Sequence, residues 1–220
     1  MLVYRDPPRQ AADDAITIVG LHDQGFDLEQ LRPLEEVLGS RFRLVTPQAP
    51  RPVTAASRGP GYEVDGYRWY CGEDATHPDV ATFGESLWQV EQFLDDVIKR
   101  EAGRVILLGH GQGAMLAATM AGIMPDRLVG VAAIAGYVPE IPGWTIPAGD
   151  AAGLPVLLVH DPGDKELPVD GVQRTADDLC RLNAAVDLQE VAGASHNPLA
   201  AAPVVCGWLA DLAPPPALGQ

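Results

Sequence analysis

The sequence predicts a single α/β domain built on a mostly parallel sheet. Its 220 residues, 47% of them hydrophobic, are enough for one domain with a sizeable buried core. Short apolar runs alternate with helical patterns along the whole chain. Most of these runs are continuous in apolar residues rather than alternating, which is typical of parallel strands that helices cover on both faces.

The apolar runs give the predicted strands, and we expect a sheet of about six or seven strands with right-handed crossovers. In chain order, the predicted strands are Ala15–Leu21, Arg41–Val45, Arg104–Leu108, Val129–Ala135, Val156–His160 and Val186–Val191.

Helical periodicity separates these strands. Thr82–Arg100 carries a wide apolar stripe, and Gly113–Met124 is small and apolar nearly all round, which predicts a buried helix. The remaining predicted helices are Leu28–Leu38, Gly171–Ala184 and Pro198–Leu212.

Two inserts interrupt the alternation. Thr46–Val80 is rich in proline, glycine and aromatic residues, which predicts a lid or binding loop. Tyr137–Pro155 is a second Gly/Pro-rich insert. The Pro-rich tail, 213–220, is expected to be flexible. Nothing divides the remainder, so the predicted domain is 1–212.

Charge and cysteine content exclude several classes of function. The chain has 15 Lys and Arg against 30 Asp and Glu, a net charge of −15, which argues against nucleic acid and anionic membranes as partners. Its 3 cysteines show neither zinc spacing nor a disulfide framework. No signal peptide and no transmembrane run are visible in the sequence. We therefore expect a cytoplasmic protein, monomeric or homodimeric.

The segment RVILLGHGQGAML, 104–116, is the most informative part of the chain. A strand enters a tight glycine-rich turn and a buried helix follows, which is the context of a nucleophile elbow of pattern G-x-S-x-G. Gly111 stands at the centre, where the pattern has serine. The later residues Asp164 and His196 follow predicted strands in the order of acid and base in α/β-hydrolases. The amides of Gln24 and Gln112 are the expected oxyanion donors.

Together these segments resemble the phospholipase/carboxylesterase family, over roughly 15–212. The resemblance implies an α/β-hydrolase fold, a carbonyl-containing substrate such as an ester, thioester, lactone or peptide, and no metal or organic cofactor. The motifs that carry it are Leu21–Phe26, Trp69–Cys71, Gly109–Ala114, His160–Pro168 and Gly193–His196.

The positions that depart from the family pattern are as informative as the motifs that match it. Gly111 replaces the serine, Asp23 and Asp161 replace glycines, and Phe26 and Cys71 replace acids. Because glycine has no side chain, these changes argue against a covalent acyl-enzyme.

Four readings of the function remain open. The site performs non-covalent chemistry such as epimerisation, isomerisation, cyclisation or water attack, with His196 as base and Asp164 as its orienter. Alternatively, the chain is a serine-to-glycine knockout or residual esterase, a ligand-binding pseudo-hydrolase, or an enzyme with a substitute nucleophile. The expected substrate-binding residues, at the elbow and in the loops, are His22, Arg68, Trp69, Tyr70, His110 and Trp144.

Overall fold

The structure, a computed structural model, describes residues 2–7, 15–54, 64–74, 76–101, 105–147 and 149–212. Its strands are β1 (Tyr4–Arg5), β2 (Ile16–Leu21), β3 (Phe42–Pro47), β4 (Arg51–Val53), β5 (Gly66–Arg68), β6 (Val105–His110), β7 (Gly130–Ile134), β8 (Pro155–His160) and β9 (Ala185–Glu190). The α-helices are α1 (Glu35–Leu38), α2 (Val80–Arg100), α3 (Gln112–Ile123), α4 (Val169–Arg181) and α5 (Ala202–Leu212).

The main sheet has seven strands in the order β1-β3-β2-β6-β7-β8-β9. Only the short edge strand β1 is antiparallel to its neighbour, and the other pairs are parallel. Strands β4 and β5 form a separate antiparallel pair. The predicted fold class, a mostly parallel sheet in one α/β domain, is confirmed.

Apolar side chains on the two faces of the sheet form two separate cores. One core packs β2, β6 and β7 against α2, α3 and α4, and the other packs the opposite face against α1 and α5. Every residue of β2 and β6 is buried. This double coverage explains why these strands are apolar without alternation.

The predicted helix Leu28–Leu38 is wrong over most of its length. A 3-10 turn covers Arg32–Leu34, and α1 covers only Glu35–Leu38. Pro33 has no backbone N–H and is tolerated only in a first helical turn, so the apolar spacing before it does not extend into a helix. The predicted Pro198–Leu212 helix likewise begins with a 3-10 turn, Pro198–Ala201.

The stretch from Thr46 to Val80 is more ordered than a loop, since it contains β4, β5 and two fully buried aromatic residues, Trp69 and Tyr70. Its residues 55–63 and 75, and the tail 213–220, lie outside the described residues. Part of the predicted lid and the predicted flexible tail fall there. No helix in the described ranges is long and apolar enough to span a membrane.

Candidate functional site

The candidate site lies where chain segments leave the carboxyl ends of neighbouring parallel strands. The segment that carries Asp23 follows β2, Gly111 follows β6, Asp164 follows β8 and His196 follows β9. Because parallel strands place their carboxyl ends at one edge of the sheet, these segments share that edge. The topology therefore brings together the loops that the sequence singled out.

The turn between β6 and α3 is sharp and suited to glycine. Gly111 has φ 54° and ψ −119°, a backbone conformation that residues with a side chain rarely adopt. Its neighbours are packed as closely, because a Cβ at Gly113 would overlap the backbone of Leu21, and one at Gly109 would overlap that of Gly113. The small residues of the predicted elbow are thus required by the packing.

The space beside Gly111 is filled by the carboxyl group of Asp23. A Cβ built at Gly111 would overlap this group, whose atoms are its three nearest neighbours. Asp23 Oδ1 accepts the backbone N–H of Gln24 at 2.7 Å and that of Gln112 at 2.8 Å. The two amides expected to form the oxyanion hole therefore converge on one point, and an internal carboxylate oxygen occupies it.

The surroundings raise the pKa of the Asp23 carboxyl. Burial is the main cause, and the carboxylate of Glu166 acts in the same direction. The imidazole of His110 and the two amide donors oppose them. The net effect favours the protonated acid over the carboxylate more than in an exposed aspartate.

A partly buried hydrogen-bond chain connects Asp23 with the loop that carries His196. The Asp23 N–H donates to Gln30 Oε1 at 2.7 Å, the Gln30 amide nitrogen lies 3.1 Å from His110 Nδ1, and His110 Nε2 lies 2.9 Å from the Ala194 carbonyl. His110 donates from Nε2 and accepts at Nδ1, as a neutral ring does. Burial lowers its pKa.

His110 and His22, both expected to bind substrate, are 1% exposed. His22 Nε2 accepts the Ala49 N–H at 3.0 Å, and His22 Nδ1 donates to the Asp23 carbonyl at 2.7 Å. Burial lowers the pKa of His22 to about 4. The geometry corrects both assignments, because the ring nitrogens are used in holding loops together.

Trp69 and Tyr70 were expected to line a pocket, but both are 0% exposed. The Trp69 indole donates to the carbonyl of His22 at 2.8 Å, and the Tyr70 hydroxyl donates to the sulfur of Met115 at 2.8 Å. The Gln112 side chain accepts a hydrogen bond from the backbone N–H of Trp69 at 2.9 Å and donates one to the backbone carbonyl of Tyr70 at 3.1 Å. These aromatic residues support the site from within the core.

The predicted acid and base follow adjacent strands, yet in the described chain no hydrogen bond joins Asp164 to His196. Asp164 Oδ1 instead accepts the N–H groups of Glu166 at 2.8 Å and Leu167 at 3.1 Å. The carboxylate that bonds to the histidine loop is Asp161, which accepts the Ser195 hydroxyl at 2.7 Å and its N–H at 3.2 Å. His196 itself is exposed. The Asp164–His196 pairing stays a prediction.

The comparison with known families agrees with this geometry. A family model described as Phospholipase/Carboxylesterase matches residues 15–201. The chain belongs to this family. A search among functionally curated proteins finds no significant match.

Solved structures, two of them carboxylesterases, share the fold of this family member. A carboxylesterase from Mesorhizobium loti has 23% identity and a TM-score of 0.74, with 91% of this chain and 90% of that chain covered. The Bacillus cereus carboxylesterase has 16% identity and a TM-score of 0.76, covering 96% and 95%. SOBER1 of Arabidopsis thaliana has 20% identity and a TM-score of 0.72, covering 90% and 99%. At these identities the likeness establishes the fold.

Two of the expected substrate-binding residues of this family member remain accessible. Arg68 is half-buried on β5, and its buried Nε has no hydrogen-bond partner among the residues that the structure describes. Trp144 is half-buried and lines a cleft of about 480 Å³, together with His77, Ile141 and Arg174. In the described ranges no three His, Cys, Asp or Glu side chains cluster as metal ligands.

Sequence reasoning missed the roles of Asp23, Gln30 and Asp161. Both aspartates replace family glycines, so the sequence itself indicated that these two positions differ from the family pattern. Gln30 carried no such signal, since it lies outside the motifs. Each role depends on a contact between segments far apart in the chain.

Proposed function

We propose that this carboxylesterase-like family member acts without an acyl-enzyme, by non-covalent acid–base chemistry on a carbonyl-containing small molecule. Gly111 takes the place of the nucleophilic serine in this proposal. Isomerisation or epimerisation beside the carbonyl is the class of reaction, because it needs a base and a proton donor but no nucleophile.

The observation that carries this proposal is the carboxyl group of Asp23 beside Gly111. It overlaps the place of a Cβ and takes up both amides that an esterase would direct at its tetrahedral intermediate. A serine esterase needs the side-chain position at residue 111 and both amides, so this site is poorly suited to the family's usual two-step hydrolysis.

His196 is the proposed base, with Asp164 as its orienter. Its exposure leaves the ring within reach of a substrate and of solvent protons. Arg68 and Trp144 are the accessible residues expected to hold the rest of the substrate. The amides of Gln24 and Gln112 fix the Asp23 carboxyl.

Hydrolysis is the second candidate function. The family and the solved neighbours that are carboxylesterases favour it. In that case water, activated by His196, would attack an ester without a covalent step, or Asp23 would move out of the amides when substrate binds. A third reading, ligand binding without catalysis, predicts no turnover at all.

The test uses two probes on the whole chain. Stopped-flow hydrolysis of p-nitrophenyl acetate reports a burst if an acyl-enzyme forms. Loss of the α-hydrogen signals of S-phenylacetyl-N-acetylcysteamine in D2O, followed by proton NMR, reports proton abstraction beside a carbonyl.

We expect no burst, and α-hydrogen exchange faster than in buffer. His196→Ala is expected to lower this exchange by about 100-fold or more, the usual contribution of a general base. Glu36→Ala, at an exposed position of α1, is the control and should leave the exchange unchanged. A burst in the wild type, or exchange that survives His196→Ala, would overturn the proposal.

A further inference from the structure

We propose that the Asp23 carboxyl is a catalytic acid of this site, acting from the place that a serine side chain would take at the turn. This inference rests on the proposed function and assigns its proton donor. It follows from the position of the group, its anchoring and its neighbours.

The position is set by the packing around Gly111. The Asp23 side chain arrives from the segment after β2, and its carboxyl group lies where the first side-chain atom of residue 111 would stand. A reactive group is thus still present above the turn. It is delivered by a neighbouring loop instead of by the turn itself.

The anchoring leaves one oxygen for chemistry. Oδ1 is held by the amides of Gln24 and Gln112 at 2.7 and 2.8 Å. Within the described residues no hydrogen bond reaches Oδ2, and the residue as a whole is only half-buried. Oδ2 is therefore the oxygen that can carry a proton toward a bound substrate.

Burial and the carboxylate of Glu166 raise the pKa of the Asp23 carboxyl, while the imidazole of His110 and the two amide donors lower it, and the net direction is upward. The titratable groups that act on this carboxyl are the imidazole of His110 on β6 and the carboxylate of Glu166 after β8, and burial together with the Asp23 carboxylate in turn raises the pKa of the Tyr70 hydroxyl. His110 is itself neutral in this geometry, because it donates from one ring nitrogen and accepts at the other. A carboxylic acid that keeps its proton can donate a hydrogen bond to a developing oxyanion.

The proposed step is balanced in protons and electrons. His196 takes the hydrogen next to the substrate carbonyl, and the electron pair of the broken C–H bond moves to form the enol C=C bond. The carbonyl π electrons move to oxygen, which receives the proton of Asp23 Oδ2. The reverse steps return both protons, so no oxidant or co-reactant is needed. Proton donation to the oxygen here replaces the two-amide oxyanion hole of an esterase.

The experiment measures α-hydrogen exchange of S-phenylacetyl-N-acetylcysteamine in D2O for wild type, Asp23→Asn and Asp27→Asn. Asparagine keeps the shape and an oxygen acceptor for the two amides but cannot donate an acidic proton. Asp27→Asn removes a carboxylate from the same loop and is the matched control. Thermal unfolding of each variant verifies that it folds.

We expect Asp23→Asn to lower the exchange rate by about 100-fold, and Asp27→Asn to change it less than about twofold. The wild-type rate should fall at high pH, where Asp23 loses its proton, and this limb should vanish in Asp23→Asn. If Asp23→Asn does not fold, Asp23→Ser takes its place with the same expected loss.

The two proposals fail in different ways. If Asp23→Asn exchanges like the wild type while His196→Ala does not, Asp23 is no acid and only the present inference is overturned. If the wild type exchanges no faster than buffer, or His196→Ala exchanges like the wild type, the proposed function is overturned together with it.

Discussion

Gly111 and Asp23 depend on each other at the level of single residues. The missing side chain of Gly111 leaves the space that the Asp23 carboxyl fills, and the carboxyl takes up the amides that an esterase would use. Either residue alone would be out of place: a serine would overlap Asp23, and without Asp23 the amides of the turn would lose their acceptor. The pair should therefore be exchanged together.

Restoring the serine alone is expected not to restore an esterase. In Gly111→Ser the new side chain meets the Asp23 carboxyl and the oxyanion hole stays filled, so hydrolysis of p-nitrophenyl acetate should not rise. Gly111→Ser combined with Asp23→Gly leaves room for the serine side chain and empties the oxyanion hole. The hydrolysis rate of this double variant should exceed that of either single variant by at least about 100-fold, with a burst. A large gain in Gly111→Ser alone would show that Asp23 does not block the site.

At the level of loops and strands, hydrogen bonds between segments hold the site in shape. Gln30 joins the segment after β2 to the end of β6, and His110 joins β6 to the loop after β9. Asp161 joins the segment after β8 to the same loop. The site is thus assembled by three connecting side chains at one sheet edge, and loss of one connection should loosen the others.

Gln30→Leu is the test of this assembly. It leaves the Asp23 N–H and His110 Nδ1 without their partner, so the free energy of unfolding should fall by about 2 kcal/mol in urea titrations. Amide hydrogen exchange of the loop Ala194–His196 should become faster than in the wild type. Gln173→Leu, on an exposed face of α4, is the control and should cost less than about 0.5 kcal/mol. Equal effects of both variants would contradict the assembly.

At the scale of the whole molecule, the sequence was sufficient for the fold. The apolar runs of β2, β6 and β8 predicted buried parallel strands because helices on both faces impose a local and readable pattern. The order of Gly111, Asp164 and His196 likewise follows from topology. The contents of the site were less predictable, since the Asp23–Gly111 contact joins distant segments and no local pattern encodes it. The burial of Trp69 and Tyr70 was missed for the same reason.

Folding stability should depend on pH through His22. Its pKa is about 4 in the folded protein against 6.5 for an ordinary histidine, so the unfolded chain binds a proton at higher pH than the folded one. Stability is complete above about pH 6.5 and falls as the pH drops toward 4. Between pH 7.5 and 4.5 this one group should account for about 2–3 kcal/mol of lost unfolding free energy.

The comparison that isolates this effect is the pH dependence of urea unfolding in His22→Gln. The variant should be less stable at pH 7.5 but lose about 2–3 kcal/mol less than the wild type on acidification. His77→Gln removes a histidine whose side chain is 68% exposed, and it should keep the wild-type dependence. Identical slopes in all three proteins would exclude His22 as the cause.

The two buried aromatic residues after β5 also bear on how molecules enter and leave the site. Swinging this segment outward would expose Trp69 and Tyr70, each about 150–250 Å² of surface, at a cost of roughly 4–6 kcal/mol apiece. An open form of that kind would make up less than about one molecule in 10⁵. This segment therefore acts as a fixed wall, and a molecule that binds at the site should enter and leave without the segment opening.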